Sequence, residues 1–159
     1  MKLLSVGTHL KVEDAATSHK FYASLGFKPV FAYGSSNFLE QFSSINTAID
    51  SYNGVVYDVC GAPFEIADGH IGIKNQDVFG HTIKTEKVSA MVKVDTLTPL
   101  FSNSLLNITY PVRKYHWGTI EVALRDPDGF VLVFIAEATD LELKRVNKFI
   151  EVEEYNNER

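Results

Sequence analysis

The chain has 159 residues, 45% of them hydrophobic and 22% charged, which is the size and composition of one globular domain. Twenty acidic against fifteen basic residues give a net charge of −5. This charge argues against nucleic-acid binding, because phosphate backbones are recognised by basic faces. The longest apolar run, Phe130 to Ala136, is far shorter than the roughly 20 residues of a membrane span. A single cysteine, Cys60, excludes an internal disulfide and is typical of a cytoplasmic protein.

The first predicted elements are a strand that ends near Val12 and a helix over Asp14 to Leu25. Asp14 is a candidate N-cap and Gly26 follows the helix end, which are common boundary signals. A second strand is predicted at Pro29 to Tyr33. The segment after it, 35–56, has a broken and mostly polar pattern. We expect this segment to be an inserted short helix or lid beside the functional site.

A repeated arrangement of elements is indicated across the chain. Leu10-Lys11-Val12 and Pro29-Val30 recur 82 residues later as Val92-Lys93-Val94 and Pro111-Val112. Each half also contains a predicted hairpin, one turning at Asp68-Gly69 and one at Asp126 to Gly129. With a second helix predicted at Thr96 to Leu106, each half has the order strand, helix, strand, strand, strand. The predicted modules cover about 4–76 and 86–137.

The last segment, 140–159, has apolar residues at helical spacing. They are Leu143, Val146, Phe149 and Ile150. We expect a C-terminal helix that docks on the body of the chain or on a second subunit.

Three features of the chain together resemble the vicinal oxygen chelate superfamily. They are the two βαβββ modules, the opening segment Thr8-His9-Leu10-Lys11-Val12-Glu13-Asp14, and the closing segment Arg125-Asp126-Pro127-Asp128-Gly129, which follows Trp117-Gly118. Its members include glyoxalase I, the bleomycin-resistance proteins and the extradiol dioxygenases. The resemblance implies an α+β fold over 1–139, in which the two modules form a cupped mixed sheet with helices on its convex face. It also implies a small-molecule ligand and a homodimer.

The same resemblance implies where a metal ion would be held in the enzymes of the superfamily. Its ligand positions correspond here to Gly7, Ile73, Ser89 and Val133. None of these has a strong donor side chain, so we expect neither a metal nor another cofactor. His9 remains as a stray donor, and Glu65 would join it only if Phe64 to Ala67 were the last strand of the first module.

Candidate ligand-binding residues are one histidine, aromatic rings and apolar side chains expected to line the cup. Rings of this kind bind flat organic molecules by stacking. His9 is the candidate for any catalytic role, as a base or ligand-orienting group, although a structural histidine is an equal alternative. Phe31 is expected in the core. The candidates for ligand binding are His9, Tyr33, Phe38, Met91, Tyr115, Trp117 and Val133.

These observations favour a non-catalytic, metal-free binder of the bleomycin-resistance type, with a planar and weakly charged guest preferred to a strongly cationic one. The alternative is a metal-dependent lyase or dioxygenase with an unusual site that uses His9. A third possibility, a purely structural or partner-binding module, applies if Phe38 and its neighbours fill the cup.

Overall fold

The computed structural model of the chain describes residues 2, 5–69 and 89–153. Two compact units are present, Met1–Lys84 and Thr85–Arg159. The described residues of each unit form a mixed five-stranded sheet, and the predicted α+β class with two modules is confirmed. Within the described residues, no helix is long and apolar enough to cross a membrane.

The part of unit 1 that the structure describes contains three helical segments and five strands. In chain order they are β1 (Thr8–Lys11), α1 (Ala15–Ser24), β2 (Lys28–Gly34), α2 (Ser36–Leu39), a 3-10 turn (Glu40–Phe42), β3 (Asn46–Ile49), β4 (Gly54–Val59) and β5 (Ala62–Ala67). The spatial order is β1-β5-β4-β2-β3. The β1–β5 and β2–β3 pairs are parallel, and the other two are antiparallel.

Helix α1 confirms the helix predicted after Val12. The Asp14 carboxylate accepts the Thr17 N–H at 2.6 Å, and Gly26 has a φ of 88° just after the helix, a conformation that glycine adopts without strain. The helix packs Tyr22 against β5, where its ring lies 4.9 Å from that of Phe64. This buried aromatic face leaves the opposite face of the sheet available for a site.

The last strand of the first module is not the one predicted. Strand β5 follows a two-residue turn at Cys60-Gly61, whose φ angles are 53° and 86°, and it pairs with β1 to complete the module. The Asp68-Gly69 pair is therefore not the turn that matches Asp126 to Gly129. Instead, the Asp68 carboxylate accepts the backbone and side-chain N–H groups of Asn53 at 2.8 and 3.0 Å. The predicted return strand near Ile73, like the rest of 70–76, lies outside the described residues.

The insertion forms a short helix and an additional strand rather than a detached lid. The Ser35 hydroxyl caps α2 by accepting the Phe38 N–H at 3.4 Å, and β3 then pairs with β2 at the sheet edge. The predicted boundary at residue 56 is too late, because Gly54 already begins the central strand β4. The inserted elements thus extend the sheet of unit 1.

Unit 2 repeats the strand arrangement with a reduced helix. Its elements are β6 (Ser89–Lys93), a 3-10 helix (Thr98–Ser102), β7 (Ile108–Lys114), β8 (Thr119–Arg125), β9 (Val131–Glu137), α3 (Asp140–Val146), a 3-10 turn (Asn147–Phe149) and β10 (Ile150–Glu153). The spatial order is β10-β7-β8-β9-β6. The α-helix predicted over Thr96 to Leu106 is wrong, since Asn103 is already extended (φ −90°, ψ 106°).

The C-terminal segment docks on unit 2 of its own chain. The Leu97 N–H donates to Glu142 Oε1 at 2.7 Å, and the Thr96 hydroxyl donates to Oε2 at 2.8 Å. The Phe101 and Phe149 rings stack at 4.0 Å. Only α3 is the expected helix, because β10 adds to the sheet beside β7.

A histidine on α1 predicts acid sensitivity of unit 1. His19 Nδ1 lies 3.0 Å from the Tyr57 hydroxyl, and its ring packs 4.7 Å from that of Phe42. Burial lowers the pKa of His19 in the folded protein. The unfolded chain therefore binds a proton at this histidine more readily than the folded protein, and the free energy of unfolding falls as the pH drops through about 6.5. We expect the urea midpoint to fall between about pH 7.5 and 5.5. In His19→Asn this fall should be smaller, and an unchanged fall would contradict the assignment to His19.

Candidate functional site

The candidate site lies on the face of the unit 1 sheet opposite α1. Four residues form a row across four strands: His9 on β1 is opposite Glu65 on β5, Glu65 is opposite Val56 on β4, and Val56 is opposite Phe31 on β2. Cross-strand partners point to the same face. The row therefore places the imidazole of His9 beside the carboxylate of Glu65, and the Phe31 ring lies beyond Val56 on the same face.

Tyr33 is fixed above this row by a hydrogen bond and by the shape of the sheet. Its hydroxyl donates to Glu65 Oε1 at 2.5 Å. Its ring lies directly over Gly54, where a Cβ atom would overlap the ring atoms. Burial, the hydrogen bond to Glu65 and nearby negative charges raise the pKa of Tyr33 far above its ordinary value. The phenol therefore stays protonated and remains a donor.

A cavity of about 430 Å³ opens over these residues, within the size range of small-molecule sites. The end of the insertion forms one of its walls, and the Tyr52 ring meets that of Tyr33 edge-on at 5.7 Å. The Asp50 N–H donates to the Gly34 carbonyl at 3.0 Å and ties this wall to β2. Those lining residues that the structure describes are His9, Phe31, Tyr33, Ala48, Asp50, Tyr52, Glu65 and Gly69.

Two predicted ligand-binding residues of unit 1 line this cavity and a third does not. His9 and Tyr33 are lining residues. Phe38 is buried on α2, with its ring 5.2 Å from that of Phe42, and it does not fill the cavity. Phe31, expected in the core, lines the cavity wall instead.

Besides Phe31, three polar or aromatic lining residues were not predicted as ligand-binding residues. Glu65 was considered only for the case in which Phe64 to Ala67 is the last strand of the first module, and that case was not preferred. The alternation of apolar Phe64 and Ile66 with polar Glu65 was the signal that could have identified Glu65 as a site residue. Asp50 and Tyr52 lie in the insertion, whose polar pattern predicts no particular orientation for either side chain. Their place in the site follows from the pairing of β3 with β2.

The other four predicted residues lie in unit 2. Met91 and Val133 are partners on β6 and β9, and they correspond to His9 and Glu65 in unit 1. Met91 is 72% exposed. Tyr115 and Trp117 stack at 4.4 Å between β7 and β8, and the Trp117 indole N–H donates to Thr119 Oγ1 at 2.8 Å.

The described residues of the site do not fit a protein-held metal ion. No group of three or more His, Cys, Asp or Glu side chains in residues 5–69 and 89–153 is placed to bind one. Glu65 uses one carboxylate oxygen for Tyr33, and the corresponding Val133 has no donor. Gly7 packs against Pro63 and lies outside β1.

A scan against protein-family models finds no match, and no curated protein matches by sequence. Solved structures do share the fold. A glyoxalase family protein from Bacillus cereus is 11% identical, with 87% of this chain and 97% of that chain covered and a TM-score of 0.59. A glyoxylase/bleomycin resistance protein/dioxygenase domain from Frankia is 18% identical, with 86% and 99% covered and a TM-score of 0.54.

The fosfomycin resistance protein FosX from Listeria monocytogenes, solved with Mn(II) and sulfate, is also similar. It is 11% identical, with 89% of this chain and 98% of that chain covered and a TM-score of 0.55. At these identities the likeness concerns the fold. The resemblance to the vicinal oxygen chelate superfamily is confirmed at that level.

Proposed function

We propose that this chain binds a small organic molecule in the unit 1 cavity and does so without a metal ion. The observation that carries the proposal is a cavity of about 430 Å³ that is walled largely by rings and contains a carboxylate fixed by a hydrogen bond from Tyr33. Aromatic and apolar walls supply most of the affinity of such sites, and a few polar groups orient the guest. Phe31 and Tyr52 are the walls, and the Tyr33–Glu65 pair is the orienting group.

The proposal is tested with a panel of aromatic metabolites and antibiotics, screened by thermal shift and followed by calorimetry. Removing the Phe31 ring should weaken a bound guest about tenfold, since its contact area is lost. Val30 offers a matched control, because it lies on the same strand and is exposed but is not part of the cavity. We expect Val30→Ala to leave the affinity unchanged. Equal losses in Phe31→Ala and Val30→Ala, or no bound compound at all, would contradict a binding role for this cavity.

A second candidate function is a metal-dependent lyase or dioxygenase with a non-standard site. It is favoured by one observation, the register that makes His9 and Glu65 neighbours on adjacent strands. Metal analysis of the purified protein and of His9→Ala separates the two functions. Stoichiometric Zn, Ni, Mn or Fe that is lost in His9→Ala would support the enzyme and overturn the metal-free binder.

We further propose that the protein is a cytoplasmic homodimer. The proposal rests on the single cysteine and on the resemblance stated above. Light scattering at a defined concentration is the measurement, and a monomer mass would contradict the dimer.

A further inference from the structure

We propose that the guest of the unit 1 cavity is an organic cation, with an ammonium group that contacts Glu65 and Asp50 and an apolar body that packs on the aromatic walls. The inference rests on the proposed function and names its ligand class. It differs from the expectation drawn from composition, which favoured a weakly charged guest. The difference arises because net charge describes the whole surface, whereas binding depends on the groups that line the cavity.

Among the described residues, the charged side chains that line the cavity are both acidic. Glu65 and Asp50 both line it, and none of the described lining residues is a lysine or an arginine. Lys11 is the nearest lysine along β1, and its amine donates to the Asp68 carbonyl at 2.9 Å. The other ionisable groups in the described part of the lining are the imidazole of His9 and the phenols of Tyr33 and Tyr52. A cation entering the cavity would therefore meet two carboxylates.

Glu65 is held in the cavity lining by the hydrogen bond from Tyr33, and its charge attracts a cation. Tyr33 occupies Oε1, and Oε2 takes no part in that bond. A carboxylate that is already oriented loses little side-chain entropy on binding an ammonium group. The raised pKa of Tyr33, caused first by its burial and then by Glu65 and by the charge of Asp50, is consistent with a negative potential in the cavity.

The rings add a second attraction for positive charge. Phe31 and Tyr33 are 6.1 Å apart between ring centroids, and Tyr33 and Tyr52 are 5.7 Å apart at nearly a right angle. Several rings around one space form an aromatic cage, and the negative ring faces attract ammonium groups. Carboxylates beside such rings bind a cation more tightly than a neutral molecule of the same shape.

The test uses three probes of similar shape: benzyltrimethylammonium, its neutral isostere neopentylbenzene, and the anion phenylacetate. Binding is followed by NMR shifts at about pH 8, where an ordinary histidine is neutral. We expect the cation to bind at least about tenfold more tightly than the isostere. Phenylacetate should bind more weakly still.

Two variants show whether the carboxylates are responsible. Glu65→Gln keeps an oxygen for the Tyr33 hydroxyl and removes the charge, so cation affinity should fall about tenfold while neopentylbenzene affinity is unchanged. Asp50→Asn should act in the same direction. Glu40→Gln, on the 3-10 turn and exposed, is the matched control and should have no effect.

The outcomes separate a failure of the cation assignment from a failure of the binding function. If the cation and the isostere bind equally, or if phenylacetate binds best, the cation assignment is overturned and the binding function stands. If no probe binds while another compound of the broader panel does, the cation assignment again fails alone. If nothing in either set binds, both the cation assignment and the binding function fail.

Discussion

Glu142→Ala is expected to lower the free energy of unfolding of unit 2 by about 3 kcal/mol. The Glu142 side chain is only 3% exposed and accepts two hydrogen bonds, from the Leu97 N–H and the Thr96 hydroxyl. Leu97 is fully buried, so its N–H would have no acceptor once the carboxylate is removed. An unsatisfied buried donor costs more than an average hydrogen bond contributes.

Urea unfolding of unit 2 within the full chain, followed by Trp117 fluorescence, provides the measurement. Glu137→Ala is the matched control, because Glu137 is exposed and its ion pair with Lys93 at 3.2 Å is of the surface type that contributes about 0–1 kcal/mol. Glu142→Gln retains an acceptor for Leu97 and should fall between the two. Equal destabilisation by Glu142→Ala and Glu137→Ala would contradict the role given to Glu142 in docking α3.

Gly54→Ala should disable the cavity while leaving unit 1 folded. The added methyl group would overlap the Tyr33 ring, so the ring must move and its bond to Glu65 must break. We expect ligand affinity to fall about tenfold or more. Overpacking should lower the free energy of unfolding by about 1–3 kcal/mol.

A double-mutant cycle with Tyr33→Ala isolates this effect. Once the Tyr33 ring is absent, the methyl group of Gly54→Ala meets no ring, and the second substitution should cost little further stability or affinity. Calorimetric affinities and urea midpoints are measured for both single variants and the double variant. Strict additivity of the two substitutions would show that Gly54 matters for some other reason than its space under Tyr33.

Local sequence signals identified the elements whose backbone N–H groups are hydrogen-bonded by residues a few positions away. The cap at Asp14 and the glycine at Gly26 delimit α1. The turn from Asp126 to Gly129 is equally local, since the Asp126 carboxylate accepts the Phe130 N–H at 2.8 Å. Such contacts join residues only a few positions apart, and they are visible as spacing.

Errors arose where a distant partner decides the structure. Cys60-Gly61 is a weaker turn signal than Asp68-Gly69, and only the pairing of β5 with β1 shows that the turn lies at Cys60. The segment after Thr96 has helical spacing, yet Leu97 takes its acceptor from Glu142, 45 residues later in the chain. Local preference in such segments is outweighed by tertiary hydrogen bonds and packing.

The candidate site also has some residues that local sequence signals identify and others that only distant contacts place there. The opening strand included His9 and the alternation of β2 included Tyr33, so a short stretch of sequence was sufficient for these two. The same alternation puts Phe31 on the face of Tyr33, yet Phe31 was expected in the core and lines the cavity instead. Glu65 and Tyr52 enter the site only because β5 pairs with β1 and the insertion folds back along β2. Periodicity states which side chains share a face within one strand. The register between strands and the course of a long insertion depend on contacts across the whole sheet, and those contacts decided that carboxylates and rings share one cavity.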